Sequence, residues 1–236
     1  MTSPAIGSPL FRSSRFNYLC CRCSRCCHHK RIQLNPYEVA RLARNLGCTT
    51  GEFIRRYVEV DVSHLRVNDQ GACIFLTPGG CSVHKDRPLV CRLYPLGRHI
   101  NSEGREYFIL DDPHPASIGI YGDEFTVADY LSDQRVKCFI SAADKYLHLF
   151  YRLWKALQQY REIGPATTAR SFRLVRLRWM QQPEQRLADW LDMDRSVNSY
   201  CEKHGILAPE NISERTLLHI RSVDEWLDES SSEIAL

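Results

Sequence analysis

The chain predicts an α+β fold: an irregular, metal-organised cysteine-cluster domain with short β-hairpins, followed by a C-terminal layer of helices. Three observations predict it. Five cysteines crowd into residues 20–27, short alternating segments separated by glycine turns fill residues 58–110, and helical periodicity dominates from Thr126 onward. At 236 residues the chain is long enough for one domain with a helical extension. The expected boundaries are 16–137 for the cysteine domain and 138–228 for the helical region, with 1–15 and 229–236 as flexible termini.

The elements follow in order. Asn35 reads as the N-cap of a first helix, with Pro36 at its first position, Glu38 at its third and Gly47 as its stop. Thr49 and Glu52 make a capping box for a second helix that runs to about Tyr57. Residues 58–67 alternate apolar and polar positions, and Asn68–Gly71 turns the chain back, so a hairpin is expected whose second strand carries Cys73. Cys81 follows a Pro78-Gly79-Gly80 turn, and Pro88 to Cys91 should form a short helical turn closed before Pro95. Leu96 to Leu110 is a second hairpin with Ser102-Glu103-Gly104 near its tip. From Thr126, an N-cap with Asp129 three residues on, the pattern stays helical to about Glu162, with a break expected near Ser141; Gly164-Pro165 ends it. Shorter helices are expected near 183–192, 194–204 and 213–228.

A hydrophobic content of 44% with 25% charged residues belongs to a globular chain and excludes a disordered one. The net charge of +3 is too small to argue for nucleic acid, but its distribution is uneven. Residues 1–35 hold Arg12, Arg15, Arg22, Arg25, Lys30 and Arg31 and no acidic residue, whereas Asp224, Glu225, Asp228, Glu229 and Glu233 crowd the other end. No apolar leader core precedes the cysteines, and no stretch reaches the length of a membrane span. The expectation is a cytoplasmic protein with reduced thiols and no membrane partner. An odd total of 11 cysteines, with adjacent pairs at Cys20/Cys21 and Cys26/Cys27, also argues against a disulfide framework.

Metal binding is the chemistry that this spacing serves. Two-residue spacers let the backbone curl so that successive sulfurs of Cys20, Cys23 and Cys26 face one centre, as in zinc knuckles and ferredoxin loops. Cys27, Cys73, Cys81 and Cys91 supply further thiols. A metal held by several thiolates carries net negative charge, and Arg22, Arg25, Arg87 and Arg92 are the candidates to compensate it. Cys21 reads as a spare thiol. Cys48, Cys138 and Cys201 read as small buried hydrophobes, and Trp154, Trp179, Trp190 and Trp226 as core.

The ordered set CxxCxxCC at Cys20 to Cys27, CxFL from Cys73 to Leu76, Gly80-Cys81, and RPxxCRxYP from Arg87 to Pro95 resembles the YkgJ-type cysteine-cluster family, a domain described as chelating zinc or iron. The resemblance spans residues 16–137 and implies metal ligands at Cys20, Cys23, Cys26, Cys27, Cys73, Cys81 and Cys91. Members often carry a further Cys-Pro after the second hairpin. His114-Pro115 stands there in this chain, which makes His114 the eighth candidate donor, since imidazole replaces thiolate at many zinc centres. Eight donors would serve two four-coordinate zinc ions, one [4Fe–4S] cluster with thiols to spare, or one of each. The ferredoxin-like triplet tips the expectation toward an iron–sulfur cluster, although Lys30 stands where a ferredoxin has its fourth cysteine.

Related flagellin lysine N-methylases have a similar cluster, which implies a protein substrate if the chain is an enzyme. The sequence shows no glycine-rich dinucleotide loop, and no catalytic residue is singled out. The competing expectation is a structural zinc module that presents the basic stretch with Arg170, Arg173, Arg176 and Arg178 to a protein or nucleic acid. No nucleic-acid module is recognisable, so nucleic acid is not among the expected partners.

Overall fold

A computed structural model describes residues 7–21, 23–59, 63–112, 114, 116–158 and 191–234, with side chains outside 150–158 and 226–234. The fold is α+β with short antiparallel strand pairs. It divides into two compact units, Met1–Ile32 with Leu65–Ile140 and Gln33–His64 with Ser141–Leu236.

The first unit holds the longer strands. β1 (Pro9–Leu10), β8 (Glu106–Leu110) and β7 (Leu96–Ile100) form an antiparallel sheet, and β2 (Arg15–Leu19) pairs with β9 (Ile120–Thr126). Alternation along β2 sends Phe16 and Tyr18 inward and leaves Arg15 and Leu19 exposed. These inward residues meet Phe108, Leu96, Tyr130 and Leu131 in one core, with α4 (Val127–Asp133) packed on β2 and β9. Phe16 and Tyr130 meet edge to face at 5.2 Å. Arg12 and Arg98 both donate to Glu106, from β1's end and from β7. Ordered backbone therefore begins before the cysteines, in residues the sequence suggested as a loose arm.

The second unit is helical. α1 (Pro36–Asn45) and α2 (Thr50–Tyr57) both start on the capping boxes expected from the sequence, Asn35/Glu38 and Thr49/Glu52. With them pack α6 (Met193–His204) and α7 (Ile212–Ile234). The starts of α2 and α6 interlock: the Thr50 amide donates to Asp194 at 2.8 Å, and its hydroxyl to Asp192 at 2.5 Å. Asp192 also caps α6 through the Arg195 amide. The buried side chains include Leu42, Phe53, Leu149, Met193 and Val197.

Several expectations change. Among the described residues of the strand foreseen over 58–67, β3 (Val58–Glu59) and β4 (His64–Leu65) form, and Cys73 meets Val67 through a single bridge. The Asn68 turn itself forms, its side chain accepting from the Gln70 and Ala72 amides. The long helix breaks at Gln134–Val136 rather than Ser141, and α5 (Lys137–Gln158) follows. Arg135 takes a left-handed conformation there, and Gln134 is held by two arginines described below. Cys138 is exposed, because Phe139, Ile140 and Ala142 occupy the buried positions of that helix. Cys201 is buried as expected, and Cys48 is half-buried with its thiol on the Ala43 carbonyl. Arg22, the basic stretch from Arg170 to Arg178, residues 183–190 of one expected helix and all four tryptophan side chains lie outside the described residues. No described helix is long and apolar enough to cross a membrane.

Candidate metal centre

All eight candidate donors fall in the first unit. After β2 the chain leaves the sheet, and Ser24 and His29, both left-handed, bracket a 3-10 turn at Arg25–Cys27. The next residues run antiparallel to the segment that holds Cys73. His28 bridges Ala72, the His29 amide donates to Gly71, and the Cys73 amide donates to the Cys27 carbonyl at 2.8 Å. Gly71 is left-handed and lies against the His29 ring, where any Cβ would overlap the imidazole. Beyond Cys73, β5 (Leu76–Thr77) and β6 (Gly80–Cys81) fold back in a hairpin that sets Cys81 opposite Leu76. The 3-10 turn His84–Asp86 leads into α3 (Leu89–Leu93), which carries Cys91.

This path brings five thiols, Cys26, Cys27, Cys73, Cys81 and Cys91, into one half-buried neighbourhood in which their charges act on each other. Cys26 and Cys27 share an S–H···S hydrogen bond. The pair therefore releases its first proton readily, with the charge on Cys26 held by Cys27, Lys30 and Arg87, and Cys26 is lowered to about 6. Cys27, which keeps the shared proton, is pushed up. Burial pushes Cys73 and Cys81 up as well, opposed by the Phe75 and Val83 amides that donate to their sulfurs. Cys23 repeats this local geometry with the Arg25 amide and adds the Ile118 amide, which together hold its thiol below the ordinary range.

The cations divide by role. Lys30 lies 4.1 Å over the Tyr94 ring and favours the Cys26 thiolate. Arg87 donates to the His84 carbonyl at 2.8 Å and to the Gln134 side chain at 2.6 Å, and its charge reaches Cys26 and Cys81. Arg92, expected beside the thiolates, is buried, and its guanidinium donates to the Arg87, Gln134 and Lys85 carbonyls while lying 4.1 Å over Phe139. It clamps the loop before α3 to the α4–α5 junction. Arg25 contributes its amide to Cys23 while its residue as a whole is exposed.

The three cysteines of the ferredoxin-like triplet differ in exposure, while Cys23 and Cys26 act on each other by charge. Cys26 lies in the five-thiol group, whereas Cys20 and Cys21 are exposed and Cys23 faces the 117–118 loop. His114 is exposed and accepts the Ala116 amide at Nδ1; its own amide donates to Tyr94 Oη at 3.4 Å. Sequence reasoning missed Lys30 as a thiolate partner and Ser117-Ile118 as the shelf for Cys23. The second could not have been found from side-chain types, because Ile118 works through its amide. Gly119, where any Cβ would overlap the Tyr18 phenol, is the nearest signal that this loop lies close.

Among the described residues no three His, Cys, Asp or Glu side chains converge as a preformed metal site. The donor set nonetheless fits a thiophilic metal: several thiols from separate loops, amides donating to sulfur, and two cations to offset thiolate charge. No curated protein and no solved structure matches the chain significantly. Residues 19–110 match the CxxCxxCC family, described as "Putative zinc- or iron-chelating domain". That segment, from the end of β2 to the end of β8, is similar to the domain of that description.

Proposed function

We propose that the chain is a cytoplasmic metalloprotein whose resident zinc or iron–sulfur centre is held by the five-thiol group Cys26, Cys27, Cys73, Cys81 and Cys91. One observation carries this reading. Cys73 and Cys81, on different loops, each receive the amide two residues ahead, the hydrogen bond that steadies a thiolate ligand, and both feel the charge of Cys26. Five thiols exceed the four that a tetrahedral zinc or a cubane cluster takes from protein. A thiolate-saturated centre of this kind suits structure, metal storage or electron transfer better than Lewis-acid catalysis, which keeps a coordination position open. Lys30 and Arg87 offset the ligand charge, and the Cys26–Cys27 pair gives up its protons on binding.

The test is anaerobic purification of the full chain, followed by elemental analysis and an absorption spectrum. An iron–sulfur centre gives iron, sulfide and a broad band near about 400 nm; zinc, with its filled d shell, gives a colourless protein. Either result supports the reading if serine at Cys73 or Cys81 lowers the metal content while serine at Cys48 leaves it unchanged. A chain that takes up neither zinc, nor iron with sulfide, overturns it.

A further inference from the structure

We propose that the thiol-bearing loops, residues 23–32 and 65–93, form a docking surface for an acidic protein segment that also carries aliphatic side chains; what such a partner meets there rests on the reading above. Charge is divided within the first unit. With buried Asp86 and Arg92 set aside, Arg25, Lys30, Arg31, Arg66, Lys85 and Arg87 stand in these loops against one acid, Asp69. In residues 94–140 of the same unit the balance is opposite, four Lys and Arg against eight Asp and Glu. Arg25, Arg31 and Lys85 are exposed and, among the described residues, belong to no ion pair. Metal binding does not cancel the surplus of five in the loops, because a divalent ion or a [4Fe–4S] cluster held by four thiolates carries only about −2.

Cations and aliphatic side chains interleave around the thiols. The Leu65 amide donates to the Ile32 carbonyl at 2.9 Å, which puts Arg31 and Arg66 on neighbouring backbones. The Ile74 amide donates to the Arg66 carbonyl at 3.1 Å, Val67 bridges Cys73, and Val90 precedes Cys91 on α3. Val67, Ile74 and Val90 remain 42%, 39% and 38% exposed. Aliphatic contacts inside a charged rim are how protein interfaces are composed, with the charges steering encounter and fixing register. An unpaired nucleic acid would need stacking platforms, and the one Phe, Tyr or Trp of these loops, Phe75, is buried. Val67 and Val90 set the acidic partner next to Cys73 and Cys91, at the metal centre itself.

The experiment uses the full chain as purified anaerobically, with a labelled peptide of glutamates and interspersed leucines as the probe, and metal content measured for every variant. Binding should weaken as salt rises. The double substitution Arg31→Glu/Lys85→Glu should weaken it about tenfold or more, whereas Arg105→Glu/Lys137→Glu, an equal charge change at exposed positions outside the loops, should leave it within about twofold. Val67→Ser/Ile74→Ser should weaken it several-fold with the salt dependence unchanged, and circular dichroism checks that each variant is folded. Equal losses in the two charge variants overturn the inference, since net charge alone would then be at work. Tighter binding of oligouridylate or duplex DNA than of the peptide also overturns it, as does self-association in sedimentation that Arg31→Glu/Lys85→Glu removes, because the occupant would then be a nucleic acid or a second copy. Full metal content with no peptide binding removes the surface and leaves the five-thiol centre standing. A chain without zinc or iron that keeps this binding pattern removes the centre and leaves the surface.

Discussion

The cysteine-bearing loops of the first unit and the capped helices of the second are held by different physics. In the second unit the starts of α1 and α2 are closed by capping boxes and that of α6 by Asp192, and apolar faces such as Leu42, Phe53 and Met193 are buried. Between Cys20 and Leu93, excluding residues 33–64, the first unit has two-residue strands, 3-10 turns, single bridges and one five-residue helix. A hairpin of two-residue strands is not stable alone in water. The same segments hold the thiols, two buried polar residues, Asp86 and Arg92, and few large apolar side chains. On the function proposed above, metal–thiolate bonds would supply what the loops lack in core, and metal would be part of the folding energy of this unit alone.

Metal removal should break that symmetry most. Zinc binding contributes on the order of 10 kcal/mol to the folding of small metal-organised domains, so chelation should loosen residues 65–91 while α1 and α2 keep their protection. Amide hydrogen exchange on loaded and stripped protein checks this. Equal protection of residues 65–91 in both states would refute it.

Arg92 sharpens the comparison within the first unit. Its guanidinium supplies donors to the Lys85, Arg87 and Gln134 carbonyls, so it does for these loops what caps do for helices. Arg92→Leu leaves those acceptors without it and should cost about 2–4 kcal/mol. Arg92→Lys should recover only part, since an ammonium lacks the planar fork. Denaturant unfolding at fixed metal loading measures both, and a shift under about 0.5 kcal/mol for the leucine variant, the size of an ordinary surface substitution, would remove the clamp from the account.

The smallest effect concerns acid. Burial would raise the Glu106 carboxyl, but hydrogen bonds from Arg12 and Arg98 overcome it and hold it below the ordinary carboxylate range. A carboxyl lowered in the folded state stabilises at pH above its unfolded value, and that contribution is lost as pH falls through the folded value. Glu106→Gln should therefore lower the melting temperature near neutrality, with the gap from wild type narrowing as pH falls through and below the ordinary carboxylate range. A gap that stays constant or widens in acid would show that the two guanidiniums do not favour the charged form.

The sequence by itself determined what depends on neighbours along the chain. The capping boxes at Asn35, Thr49 and Thr126, the β7–β8 hairpin, the Asn68 turn and the identity of the thiol-bearing motif were all legible, because each rests on residues a few positions apart. Only the tertiary structure decided what depends on residues far apart. It left Cys20 and Cys21 exposed and half-buried Cys26 and Cys27 within reach of the charges of Cys73, Cys81 and Cys91. It turned Arg92 from a thiolate partner into a carbonyl clamp and gave Cys23 the Ile118 amide. It also grouped α1 and α2, which interrupt the cysteine motif, with helices more than a hundred residues away. The physical reason is common to all of these. A cap or a turn is closed by local backbone geometry, whereas the partner of a guanidinium or a sulfur is chosen by which backbone amides and carbonyls packing brings within about 3 Å.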